Sequence, residues 1–135
     1  MMAMTELAGR EDACPVPLAA IAERQQISQA YLEQLFVRLR QQGLVQSVRG
    51  PGGGYRLARP AADLSVADVV TAVDEPLRAT RCAGSGVGCM RDGARCLTHD
   101  LWAETGRQLH NYLAAVSLAD VLAGRLRPAG ARVSA

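Results

Sequence analysis

Apolar residues along this 135-residue chain change their spacing from one stretch to the next, and each spacing predicts a different element. Leu32, Leu35, Phe36 and Leu39 recur at i, i+3, i+4 and i+7, the stripe of an amphipathic helix. Ser28 is placed to cap that helix and Gly43 to stop it, which predicts a helix from Gln29 to Gln42. Its outer face carries Ala30, Gln34, Val37 and Gln41, flanked by Glu33 and Arg38. A shorter helix precedes it over Leu18–Gln25, with Leu18, Ile21 and Ala22 on one side, and Gln26-Ile27-Ser28 is the tight turn between them. Leu44–Arg49 and Tyr55–Ala58 then read as strands around Gly50-Pro51-Gly52-Gly53-Gly54, a hairpin with a glycine-rich tip. Met1–Ala8 predicts a short leading helix with Met1, Met4 and Leu7 as a thin apolar stripe and Gly9 as its stop.

The second half alternates in the same way. Asp63-Leu64-Ser65 caps a helix over Val66–Asp74, which ends before Pro76. From Thr98 a long helix runs to about Val116, with Leu101, Thr105, Leu109, Tyr112 and Val116 as a stripe widened by Trp102 and Leu113. So wide a stripe needs two partners, its own domain and most simply the same helix of a second subunit. Ser117 caps a last helix over Leu118–Ala123, Gly124 ends it, and the Arg/Pro/Gly/Ala tail is expected to be disordered.

The chain therefore reads as mainly α. Its parts are a winged helix-turn-helix over 1–60, a linking helix over 61–80, a cysteine loop over 81–99, a dimerisation helix with a short terminal helix over 98–124, and a tail over 125–135. Two helices joined by about three residues, the second with small and amide side chains outside, suit entry into a DNA major groove. An ordinary helical hairpin with a wet outer face would show part of the same pattern. The hairpin directly after it favours the winged helix, with Arg49 beside a bare backbone suited to phosphates and a narrow minor groove.

Charge supports that choice only through its placement. The net charge is +2, and all fifteen basic residues are Arg. Between Ile21 and Arg59 there are six Arg against Glu23 and Glu33, while Pro60 to Glu75 holds four acidic residues and no basic one. A basic front half on a nearly neutral chain is the footprint of a polyanion-binding surface. No apolar run approaches bilayer length and no signal-peptide pattern opens the chain, so a cytoplasmic protein is expected.

Cysteine usage changes the picture most. Cys82, Cys89, Cys96 and His99 fall within eighteen residues, each cysteine separated from the next by six others. Thiolates and imidazole suit zinc, copper(I) or iron–sulfur clusters. The short Cys-x(2–4)-Cys knuckles of structural zinc are absent, and so is the Cys-x-x-Cys of thiol redox enzymes. An iron–sulfur cluster is served by ligands spread along a loop, and unligated thiols remain an alternative. Cys96 and His99 share one face of a first helical turn, which Thr98 could cap. Cys14 lies outside this group and is expected to be a bystander.

The runs PVPLAAIAERQQISQAYLEQLFVRLRQQGLVQSVRGPGGGY, SVADVVTAVDE, TRC and RCLTH, spread over about Met2 to Val121, resemble the iron–sulfur cluster regulators of the IscR type, a family of dimeric winged-helix transcription factors. The resemblance implies a [2Fe–2S] cluster on Cys82, Cys89, Cys96 and His99. It implies DNA contacts from Ser28, Tyr31, Glu33, Gln34, Arg38 and Arg40, and from Arg49, Gly50, Pro51 and Gly52 at the wing. It further implies repression of iron–sulfur assembly genes, palindromic promoter sites, a homodimer, an assembly scaffold as cluster donor, and no enzymatic activity. A zinc-stabilised DNA-binding protein and a cluster-transfer or thiol redox protein are the alternatives. Against the family pattern, each gap between cysteines is one residue longer, Ala30 stands where serine is common, and the chain begins later than the first helix, whose usual lead-in is basic and contains tyrosine.

Overall fold

Three serines start three of the helices. Ser28 accepts the N–H of Tyr31 at 3.4 Å and opens the helix Gln29–Gln41. Ser65 and Ser117 form full capping boxes with Asp68 and Asp120 and open Val66–Ala72 and Leu118–Leu122. The computed structural model describes residues 1–10, 14–73 and 88–126. In chain order these contain α1 (Met2–Ala8), α2 (Leu18–Gln25), α3 (Gln29–Gln41), β1 (Val45–Val48), β2 (Gly54–Leu57), a 3₁₀ turn at Ala61–Asp63, α4 (Val66–Ala72), α5 (His99–Ala114) and α6 (Leu118–Leu122). The expected tail beyond 126 and the segment 74–87 lie outside the described residues.

Helices α2 and α3 form the helix-turn-helix. Gln26 adopts the left-handed conformation, φ 53, and is the one non-glycine residue to do so among those described. That conformation brings the Ile27 N–H onto the Ala22 carbonyl at 3.0 Å, closing the end of α2. Ile21, Leu32, Phe36 and Leu39 turn inward.

Strands β1 and β2 pair antiparallel, Val45 opposite Leu57 and Val48 opposite Gly54. A third strand segment holds the hairpin: Val16 and Tyr55 exchange both backbone hydrogen bonds, at 2.8 and 2.9 Å. Gly54 permits this approach, because its φ is +152 and a Cβ there would meet the Val16 carbonyl at 2.3 Å. The Tyr55 ring meets Phe36 edge-on, with centroids 4.9 Å apart, so the wing is fastened to α3.

One core runs from the first helix to the last and includes Met4, Leu7, Val16, Leu44, Val45, Leu64, Val69 and Leu118. Helix α1 packs on α2, β2 and α6. Its buried stripe is Ala3, Met4 and Leu7, whereas Met1, expected in that stripe, is exposed. Glu6 of α1 accepts from Gln25 at 2.8 Å and pairs by charge with Arg24 at 2.9 Å, although its Oε1 makes no hydrogen bond of its own. Two expected caps differ. Gly9 stays right-handed, φ −76, because the Gly9 and Arg10 N–H groups still reach the carbonyls of Thr5 and Leu7. Thr98 occupies the position before α5 without capping it, its hydroxyl lying 3.6 Å from the Cys96 sulfur instead.

Helix α4 is tied to the end of α5. The Val66 N–H donates to Val116 at 2.8 Å and the Leu118 N–H to Leu64 at 2.9 Å. Helix α5 rests on α4, and its only buried residue is Gly106. Of its predicted stripe, Leu101, Trp102, Thr105 and Leu109 are exposed, Tyr112 and Leu113 are half-buried, and Val116 beyond its end is buried.

Candidate nucleic-acid interface and metal centre

The outer face of α3 presents Ala30, Gln34, Val37 and Gln41, all exposed. Residues seven apart nearly align on a helix, so Glu33 and Arg40 share one flank of that face and Tyr31 and Arg38 the other. Glu33 is held along the helix by Gln29, whose amide donates to its carboxylate at 3.1 Å. The sequence reading missed Gln29, although an amide four residues before a carboxylate is a recognisable signal. Arg38 turns toward α4 and donates from Nη1 to the Val73 carbonyl at 2.9 Å. Ser28 is engaged as the cap, and Tyr31, Gln34 and Arg40 stay exposed.

At the wing, Arg49, Gly50, Pro51 and Gly52 form an exposed tip, closed by the Gly53 N–H onto the Gly50 carbonyl at 2.9 Å. Gly50 and Gly52 both have positive φ, 99 and 72, so the tip needs glycine at those two places. Arg56, on the wing's flank, donates to Gln46 across the hairpin at 3.3 Å.

Cys82 lies outside the described residues, but the other three expected ligands are placed. A tight turn over 90–94 doubles the chain back, with Met90 and Ala94 joined at 3.0 Å and the Ala94 N–H bonded to Asp92 at 3.0 Å. Cys89 thereby reaches the start of α5. Its sulfur lies 3.6 Å from His99 Nδ1 and accepts the Cys96 N–H at 3.0 Å. Arg95 approaches Asp100 at 3.8 Å, but both are so exposed that this pair contributes little. No group of three or more His, Cys, Asp or Glu side chains stands close enough to hold a metal ion among the described residues. The donor types still fit an iron–sulfur site: the Cys89 sulfur and the His99 imidazole meet at one helix start, the Cys96 sulfur lies one turn ahead of it beside Thr98, and a further cysteine stands upstream. Cys14 is exposed and far along the chain from this group, on a cleft with Arg10, Arg56 and Arg59.

Residues 1–124 match the Rrf2 family, described as an iron-dependent transcriptional regulator. The chain belongs to the Rrf2 family. Within it, this regulator is 52% identical over 120 residues to the HTH-type transcriptional regulator IscR of Escherichia coli O1:K1, covering 89% of this chain and 73% of that one. The solved structure of T. potens IscR superposes with a TM-score of 0.71 at 35% identity, covering 92% of this chain and 80% of the other. CymR, the global cysteine regulator of B. subtilis, gives 0.73 at 28% identity, over 90% and 88% of the two chains. This Rrf2 protein is thus an IscR-like, DNA-binding helix-turn-helix transcriptional regulator with a winged-helix fold, and not an enzyme. No helix among the described residues is long and apolar enough to cross a membrane.

Proposed function

We propose that this regulator is a cytoplasmic homodimer that represses iron–sulfur assembly genes and senses cluster supply through a [2Fe–2S] cluster held by Cys82, Cys89, Cys96 and His99. The observation that supports the reading is the meeting of the Cys89 sulfur with His99 and with the backbone N–H of Cys96 at the start of α5, in a family described as iron-dependent. When bound, the cluster supplies a reversible, redox-active crosslink between the loop and that helix. The chain's own residues do the rest. Cys89, its sulfur already accepting a backbone N–H, and His99, at the first position of α5, tie the loop to the helix.

Dimerisation rests on the uncovered face of α5. Leu101 is 60% exposed and Leu109 39% exposed, and Leu97 and Trp102 lie uncovered beside them. A second copy of α5 would cover this face and present two copies of α3 to the half-sites of a palindromic duplex. Glu33 is the specificity residue on this reading, Arg40 and Arg49 contact phosphates, and an assembly scaffold donates the cluster.

Anaerobic purification tests the proposal. The protein is expected to be coloured and to hold iron and sulfide in equal amounts, about two of each per chain when fully loaded. Cys82→Ala, Cys89→Ala and Cys96→Ala should each abolish the colour, and Cys14→Ala should keep it. Colourless protein with one tightly held zinc would overturn the cluster reading.

A further inference from the structure

Helix α4 is bonded at both ends to elements of different roles. At its start, Val66 and Leu64 exchange backbone hydrogen bonds with Val116 and Leu118, just beyond the end of α5. At its end, Val73 offers its carbonyl to the guanidinium of Arg38 on α3. Between these points α4 meets α3 through Val69, buried with Leu32 and Phe36. An apolar groove of about 390 Å³ opens beside this contact, lined by Tyr31 and Leu35 of α3, by Val70 and Val73 at the end of α4, and by Met1 and Met2 at the start of the chain. Beside the groove the end of α4 has no such packing against α3, and there a directional bond can set the tilt of one helix on the other.

Arg38 makes that bond. It lies on the α4 side of α3, one turn beyond Leu35 and two beyond Tyr31, both on the groove. Its partner carbonyl sits at the C-terminal, negative end of α4, where a cation is favoured. A continuous set of contacts therefore runs from His99 along α5, through Val116 and Val66 into α4, and through Val73 and Arg38 into the DNA-reading helix. We propose that Arg38 is a positioning residue: it fixes the angle of α3 against α4, and through it the state of the α5 end is passed to the DNA-reading face. This inference rests on the sensing role proposed above for its second half, and on the Arg38–Val73 bond alone for its first.

The test uses Arg38→Met, which keeps the stem and removes the donors, Arg38→Lys, which keeps the charge, and Arg40→Met as the contrasting phosphate contact. Hydrogen exchange on cluster-free protein comes first. Amides over 70–73 should exchange at least about threefold faster in Arg38→Met while those of α2 keep their wild-type rates. Duplex affinity at several salt concentrations comes second. Arg38→Met should leave the slope of log affinity against log salt unchanged, whereas Arg40→Met should lower it by about one. Third, the ratio of operator affinities between protein reconstituted with iron and sulfide and cluster-free protein should move toward one in Arg38→Met, by about threefold or more, with partial rescue in Arg38→Lys.

Unchanged exchange over 70–73, or a salt slope lowered by about one in Arg38→Met, would overturn the positioning role. An affinity ratio equal to wild type would overturn the transmission. A wild-type protein whose operator affinity ignores the cluster would instead overturn the sensing reading, and exchange and salt slope would still decide Arg38.

Discussion

Gln26 carries a left-handed backbone, φ 53, at the turn of the helix-turn-helix, where glycine would carry no steric cost. Gln26→Gly should therefore stabilise the fold by about 0.5 kcal/mol, the relief of strain exceeding the added freedom of the unfolded chain. A drop in melting temperature would show that the Gln26 side chain contributes more than its backbone costs. Gly54 is the opposite case. Its positive φ and its contact with Val16 leave no room for a Cβ, so Gly54→Ala should cost more than about 2 kcal/mol and loosen the wing from Val16. Asp120 is the residue-scale pH sensor of stability. The Ser117 hydroxyl and N–H both donate to it, at 2.7 and 3.1 Å, and with Arg125 nearby they hold its carboxyl below the ordinary value. A depressed folded value means that this contribution is full above the unfolded value of about 3.9 and is lost as pH falls through the folded one. The difference in melting temperature between wild type and Asp120→Asn should be widest near neutrality and should close in acid. A difference that stays constant with pH would mean that the charge of Asp120 is not what stabilises α6.

Among the elements, α5 is the one whose pattern one chain does not satisfy. Its stripe spans more of the helix than α4 covers, which leaves Leu101, Thr105 and Leu109 exposed. Leu109→Glu should give monomers with helix content and core intact, read by sedimentation velocity. Trp102 is the single tryptophan and lies on the same side, so it reports the same event. Its emission should shift to longer wavelength on dilution of the wild type and should be shifted at all concentrations in Leu109→Glu. A Leu109→Glu protein that remains dimeric would place the interface elsewhere. The elements themselves were legible in the sequence, because a serine cap and a 3.6-residue period are local signals. Thr98 shows the limit of that reasoning. It holds a capping position, yet its hydroxyl lies against Cys96, a choice made by the turn at 90–94.

For the whole molecule, DNA binding should divide into affinity and choice. Arg49→Ala at the wing tip should weaken binding to all duplexes by a similar factor and lower the salt slope by about one, because a phosphate contact carries no sequence information. Glu33→Ala should relax site choice more than it lowers affinity, since a carboxylate accepts from cytosine but is repelled by acceptor-rich base edges. Competition binding against a panel of single-base operator variants measures both. If Glu33→Ala weakens every sequence equally, its specificity role is wrong.

By itself the sequence determined the helix-turn-helix, the hairpin after it, the set of candidate ligands and the exposed reading face, because each is written in spacing or residue type over a few turns. Only the tertiary structure decided where these meet. It packed α1 onto α6 and built one core from both ends of the chain. It fastened the wing through Val16 and Phe36, and it brought Cys89 to His99. It also turned Arg38, which the resemblance offers as a DNA contact, toward the carbonyl of Val73, thirty-five residues away. Periodicity says which side of a helix faces inward. Which neighbour a flank residue meets depends on how far one helix lies from the next, and no local pattern encodes that distance.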